Sequence, residues 1–92
     1  MIKILYSDIA LKDLEKLSFP IQTDILHSIE MKLGTNPLVF SKSLKYGLKD
    51  FRCLRINSYR IVFFMEKETV IILLIDHRKE IYDRVKRKLG VK

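Results

Sequence analysis

The chain has 92 residues and a mass of 10.9 kDa, with one cysteine and 18 Lys and Arg against 11 Asp and Glu. That length holds one small domain and excludes a barrel enzyme or a full dinucleotide-binding domain, since one βαβ unit alone takes about 30 residues. The single cysteine, Cys53, excludes an internal disulfide framework and a multi-cysteine zinc site, and the net charge of +7 favours a polyanionic partner.

Ile2, Ile4 and Tyr6 alternate with Lys3 and Leu5, which predicts a short first strand instead of a signal peptide. Ser7 is a candidate N-cap. Ala10, Leu14 and Leu17 then recur at helical spacing, with Lys12, Asp13, Glu15 and Lys16 read as facing away. Ser18-Phe19-Pro20 breaks this helix and starts a second, whose stripe is Ile21, Ile25, Ile29 and Leu33. Gly34 ends it, and Asn36-Pro37 prevents continuation. Residues 35–49 read as a connecting loop rich in Lys and Ser.

Strand patterns follow at 51–56, 59–65 and 69–75, with turns at Asn57-Ser58 and Glu66-Lys67-Glu68. The third is apolar on both faces and therefore central. Its apolar run of six residues is far short of the roughly 20 a membrane span needs. Ile81, Val85 and Leu89 predict a last helix at about 79–89. The expected fold is α+β, in the order β-α-α-β-β-β-α. A single domain over 1–92 carries an antiparallel sheet meander with a helical hairpin packed on one face.

The positive charge is local. Residues 41–60 carry six basic side chains and one acid, residues 77–92 carry seven and two, and the remainder carries five basic and eight acidic. Metal chemistry has no support: His27 and His77 lie fifty residues apart, and no metal-ligand spacing or Gly-rich phosphate loop occurs. Cys53 reads as a small buried hydrophobe.

Arg52, Arg55 and Arg60 interrupt otherwise apolar strands, so each needs a partner, solvent or an anionic ligand. Arg52 and Arg55 are three apart and face opposite sides of a regular strand, so only a bulge aims both inward. Asp76-His77-Arg78-Lys79-Glu80-Ile81-Tyr82 follows the central strand and offers an acid/base, a phosphate clamp and an aromatic ring.

These segments together resemble the RelE-type toxins of the RelE/ParE toxin–antitoxin superfamily. The run from Ser7 to Leu17 is similar to the family pattern S-x-x-A-x-K-D-L-x-K-L. Phe51 to Ile56 with Tyr59 to Phe63 resembles the block YRSLRIGDYRIIY, and Ile75 to Tyr82 resembles IGHRKEVY. The match runs in order from about residue 2 to 84.

The resemblance implies a RelE-like microbial ribonuclease fold and a type II toxin. Such a toxin is a metal-independent endoribonuclease without cofactors that cuts mRNA in the ribosomal A site, using the RNA's 2′-OH as nucleophile. Its implied partners are mRNA, ribosomal RNA and a cognate antitoxin with an acidic or amphipathic segment. Operator DNA is reached only through the antitoxin, no membrane is involved and the location is cytoplasmic. By position, Arg55, Arg60 and Arg78 become phosphate clamps and Tyr82 a stacking platform or acid. Relatives carry lysines in the first of these strands; arginine, with a pKa above about 12, does not act as a base, which makes His77 the candidate base. Lys42, Lys45, Lys49, Arg52, Arg84, Lys86, Arg87 and Lys88 are candidate contacts to RNA and the ribosome. Two other readings stand beside this one: a ParE-like inhibitor of DNA gyrase, and a degenerate toxin that only binds its antitoxin.

Overall fold

The computed structural model describes residues 1–44, 50–77 and 81–88. Its elements are β1 (Lys3–Tyr6), α1 (Asp8–Glu15), α2 (Phe19–Ser28), β2 (Lys42–Ser43), β3 (Arg52–Ile56), β4 (Tyr59–Glu66), β5 (Thr69–His77) and α3 (Ile81–Lys88). The strands form one sheet in the order β1-β5-β4-β3-β2. β3, β4 and β5 are the expected antiparallel meander, and β1 returns beside β5 in parallel. β2 is a two-residue edge strand inside the segment read from sequence as a plain loop.

Ser7 closes the first connection. Its Oγ accepts from the Ala10 amide at 3.0 Å, capping α1, and donates to the Leu73 carbonyl at 2.9 Å. Asn57 makes the β3–β4 turn with φ 55°, a left-handed value that asparagine tolerates. After α2 the helix widens into a π-turn over Ile29–Leu33, where the Gly34 amide donates to both Ile29 O and Glu30 O. A Cβ on Gly34 would collide with the Glu30 carbonyl oxygen, so glycine is needed there by close approach.

Strand alternation sorts side chains onto two faces. Leu54, Ile56, Ile61, Phe63, Ile72 and Ile75 pack under the hairpin residues Ala10, Leu14, Ile25, Ile29 and Leu33. Leu44, Cys53, Val62 and Leu74 face the other way and are covered by Ile81 and Val85. The helices therefore do not share one face: α3 crosses to the side opposite the hairpin. Its spacing at Ile81 and Val85, both fully buried, supplies the apolar stripe that docks there.

β5 carries one extra residue against β4. Val62 pairs with Leu74, while the next residue, Phe63, pairs with Ile72. Leu73 is thus bulged out of register, and its carbonyl is the one Ser7 Oγ satisfies. Because side chains alternate with a period of two, the bulge exchanges the faces of every later residue in β5. Leu74 and Asp76 go to the α3 side; Ile75 and His77 go to the hairpin side.

Candidate functional site: a cationic cleft at the edge of the sheet

The α3 side is left open toward β3 and β2. A cleft of about 590 Å³ lies there, lined among others by Lys32, Val39, Phe40, Lys42, Arg55, Arg60 and Tyr82. Four of its lining side chains are cations, and no acid lines it among the described residues. Arg55 and Arg60 are direct register partners across β3 and β4. Like charges placed opposite each other destabilise a sheet, so this pair is a cost to the fold that an anion in the cleft relieves. Arg60 Nε is buried and has no acceptor among the described residues, while the Arg60 side chain hydrogen-bonds the Cys53 thiol. Beneath it, burial pushes the Cys53 thiol up, against the opposing pull of the neighbouring Arg60 and, less, Arg55 guanidinium groups. The thiol is thus a neutral floor to the cleft and no nucleophile. Tyr82, half-buried on α3, also lines the cleft.

The structure brings Lys42, Arg55, Arg60 and Tyr82 together and leaves His77 elsewhere. The His77 ring lies against Tyr59 with centroids 4.5 Å apart, in a separate hollow of about 320 Å³ that includes Asp13, Lys16, Leu17 and Arg84. The Leu73 bulge is the physical reason, since it turns His77 to the hairpin side of the sheet. Arg78, Lys45, Lys49 and the side chain of Lys88 lie outside the described residues. Lys86 and Arg87 are exposed on α3.

Two candidate RNA contacts are taken up inside the protein. Arg52 projects from the face opposite Arg55. Its Nε donates to Ser41 Oγ at 2.8 Å, its Nη1 to Ser43 Oγ at 3.1 Å and its Nη2 to Ser41 O at 2.9 Å and Leu38 O at 3.3 Å. It thereby holds the turn that carries Val39 and Phe40 beside the cleft. Arg84 Nη1 bridges Asp76 Oδ2 at 2.8 Å and Asp13 Oδ2 at 3.1 Å. Burial alone would lower its pKa, but the hydrogen bonds it donates to Asp76 and Asp13 outweigh this and raise the pKa above its ordinary value. Asp13, read from sequence as an outward-facing residue of α1, is buried, and its Oδ2 also accepts from the Ile75 amide at 3.0 Å. That amide points past the end of β1, whose pairing stops at Ile72, so the carboxylate stands in for a missing strand.

An arginine pair across β3 and β4, a docked terminal helix bearing Tyr82 and a five-stranded sheet backed by a helical hairpin define a small α+β toxin domain of the RelE/ParE superfamily. The family model for the ParE toxin of type II toxin–antitoxin systems matches residues 4–82, and the chain belongs to that family. No curated protein matches it by sequence. Among solved structures it is similar to the RelBE2 toxin–antitoxin complex from Mycobacterium tuberculosis, at 29% identity over 84% of this chain and 91% of that one, with a TM-score of 0.78. The RelB–RelE antitoxin–toxin complex from Methanococcus jannaschii is also 29% identical, over 86% of this chain and 95% of that one, with a TM-score of 0.68. The chromosomal ParDE system from P. aeruginosa shares the fold at 15% identity, over 84% and 96% of the two chains, with a TM-score of 0.70. No helix among the described residues is long and apolar enough to cross a membrane.

Proposed function

We propose that the chain is an mRNA-cleaving toxin that acts in the ribosomal A site. The observation that carries this reading is the cleft itself: Arg55 faces Arg60, Lys32 and Lys42 add charge, no acid lines it among the described residues, and Tyr82 also lines it. Such a site suits a phosphodiester between two unpaired nucleotides. In the proposed reaction the 2′-hydroxyl gives its proton to solvent water as its oxygen bonds to phosphorus, and the P–O5′ bond breaks, leaving a 2′,3′-cyclic phosphate and a 5′-hydroxyl. Arg55 and Arg60 neutralise the charge that builds on the non-bridging oxygens. Tyr82 packs against a base or passes a proton to the departing 5′-oxygen. His77 has no part in this scheme, because it lies in the other hollow. The exposed Lys86 and Arg87 add salt-sensitive attraction to ribosomal RNA.

Primer extension on a reporter mRNA in a translating extract tests the proposal. Discrete, ribosome-dependent cuts are expected from the wild type, and Arg60→Ala should reduce cutting by about 10²–10³. Intact mRNA would transfer the reading to the ParE-like alternative, inhibition of DNA gyrase, and a supercoiling assay would test it. The 29% identity to two toxin–antitoxin complexes of the RelBE type is consistent with the RelE side of the superfamily. Those relatives are toxin–antitoxin complexes, and a partner antitoxin with an acidic, amphipathic segment fits the +7 charge and the open cleft. Failure of such a segment to form a complex at micromolar concentration would count against that partner.

A further inference from the structure

Arg60 stands between two neighbours of opposite sign. Across β3 is Arg55, and across β5, on the same face, is Asp76. Directly opposed opposite charges in an antiparallel pair normally attract. Here they do not meet. Asp76 Oδ2 is held by Arg84 at 2.8 Å, and its Oδ1 accepts from the His77 amide at 2.7 Å. Arg60 makes no ion pair among the described residues, and its Nε is buried with no acceptor.

We propose that Arg84 is a positioning residue that keeps Arg60 available to ligand by sequestering Asp76. Arg84 reaches Asp76 from α3 and is itself anchored by Asp13 of α1, so two helices hold the carboxylate, which lies outside the cleft lining. Without Arg84, Asp76 has one unpaired oxygen, and its register partner on the same face is Arg60. The resulting Arg60–Asp76 pair cancels the charge the cleft uses to bind a phosphodiester. Asp13 keeps its bond to the Ile75 amide throughout, so the change falls on Asp76.

The inference rests on the phosphodiester-binding reading for its effect on ligand, and on register and hydrogen bonding alone for its effect on Arg60. The experiment separates the two. A single-stranded 2′-O-methyl RNA of about ten nucleotides, long enough to fill one such groove, is the uncleavable probe. Its binding is followed by fluorescence anisotropy for wild type, Arg60→Ala, Arg84→Met and Arg84→Met with Asp76→Asn. Arg84→Met should weaken binding about tenfold, as loss of one charge-assisted contact does. Adding Asp76→Asn should restore most of it, because the captured guanidinium is released. A double variant as weak as Arg84→Met overturns the proposal, since an Arg84 that merely docks α3 gives that result. In parallel, the Arg60 Nε–Hε resonance should move and gain protection from exchange in Arg84→Met and return in the double variant. An unmoved resonance in the single variant also overturns it. Arg84→Gln, neutral and too short to bridge both carboxylates, replaces Arg84→Met in both arms where the latter fails to fold. If wild type and Arg60→Ala bind the probe equally, the phosphodiester reading fails, and the resonance arm still decides the role of Arg84.

Discussion

Arg55 and Arg60 face each other across the β3–β4 ladder, one exposed and one half-buried, and the fold retains this repulsion in the lining of the 590 Å³ cleft. A like-charge pair opposed in this way costs about 0.2–1 kcal/mol. Arg55→Thr should therefore stabilise the protein by roughly that amount in urea denaturation while weakening RNA binding. Salt isolates the electrostatic part from any gain in strand propensity. Raising ionic strength to about 0.5 M should stabilise the wild type more than the variant, because screening removes a repulsion that only the wild type has. An equal salt response in the two proteins would mean that the guanidinium groups do not repel in solution.

The Asp13–Arg84 contact joins the N-terminal helix to the C-terminal one over 71 residues of sequence. Asp13 is 7% exposed and holds two donors, the Arg84 guanidinium and the Ile75 amide. Removing one partner of a buried pair leaves the other uncompensated, at a cost of about 3–5 kcal/mol. Asp13→Ala should fall in that range by urea denaturation. Asp76→Asn, at the more exposed end of the bridge, should cost about 1 kcal/mol, in the range of partly exposed pairs. A double-mutant cycle of Asp13→Ala with Arg84→Ala checks the contact, and additive losses would deny the coupling.

Much of the architecture is written in local pattern. Ser7 caps where an Ser-Asp pair precedes an apolar stripe, Asn57 turns where two strand patterns meet, and Ile81 and Val85 mark the buried side of α3. Parity alone also separates Arg52 from Arg55, and the structure keeps β3 regular, so the two do point apart. The placement of His77 is not legible in this way. Thr69 to Ile75 is apolar on both faces, so nothing in its composition reveals that Leu73 is an extra residue. Without that bulge, parity would have turned His77 to the Arg60 side and Asp76 away from it. Asp13 was hidden for a related reason. It sits on the flank of the Ala10–Leu14 stripe, and its partners, Ile75 and Arg84, are more than sixty residues away. The β2 edge strand and the cleft residues Lys32, Val39 and Phe40 likewise depend on long-range contacts that no periodicity encodes.

Arg52 illustrates how a basic strand residue can be structural. Its planar fork reaches four acceptors on the 38–43 turn at once, a geometry that a lysine ammonium cannot reproduce. Arg52→Lys should cost about 1–2 kcal/mol, since several partly exposed hydrogen bonds are lost together. The loss should be local. Hydrogen exchange should quicken about tenfold at the Phe40 and Leu44 amides, whose bonds to Asn36 O and Phe51 O flank the turn, and stay unchanged at Phe63 in the core. Uniform loss of protection across the sheet would instead assign Arg52 to global stability.

Cys53 makes the fold sensitive to alkali. Burial raises its thiol pKa above the ordinary 9.0, with Arg60 opposing but not prevailing. The folded state therefore keeps its proton to higher pH than the unfolded chain does. Stability is full below the unfolded value and declines as pH rises from about 9 toward the folded value, by at most about 1.4 kcal/mol per pH unit for one group. Tyr6, raised by burial and by the Glu30 charge, adds a second decline that begins nearer pH 10. Urea denaturation across this range should show the slope near pH 9 in the wild type and lose it in Cys53→Ala, whatever the absolute stability of the variant. Arg60→Ala should steepen the fall, because it removes the one neighbouring charge that most favours the thiolate. A wild-type curve flat through pH 9.5 would mean that the thiol titrates as freely in the folded protein as in the unfolded one.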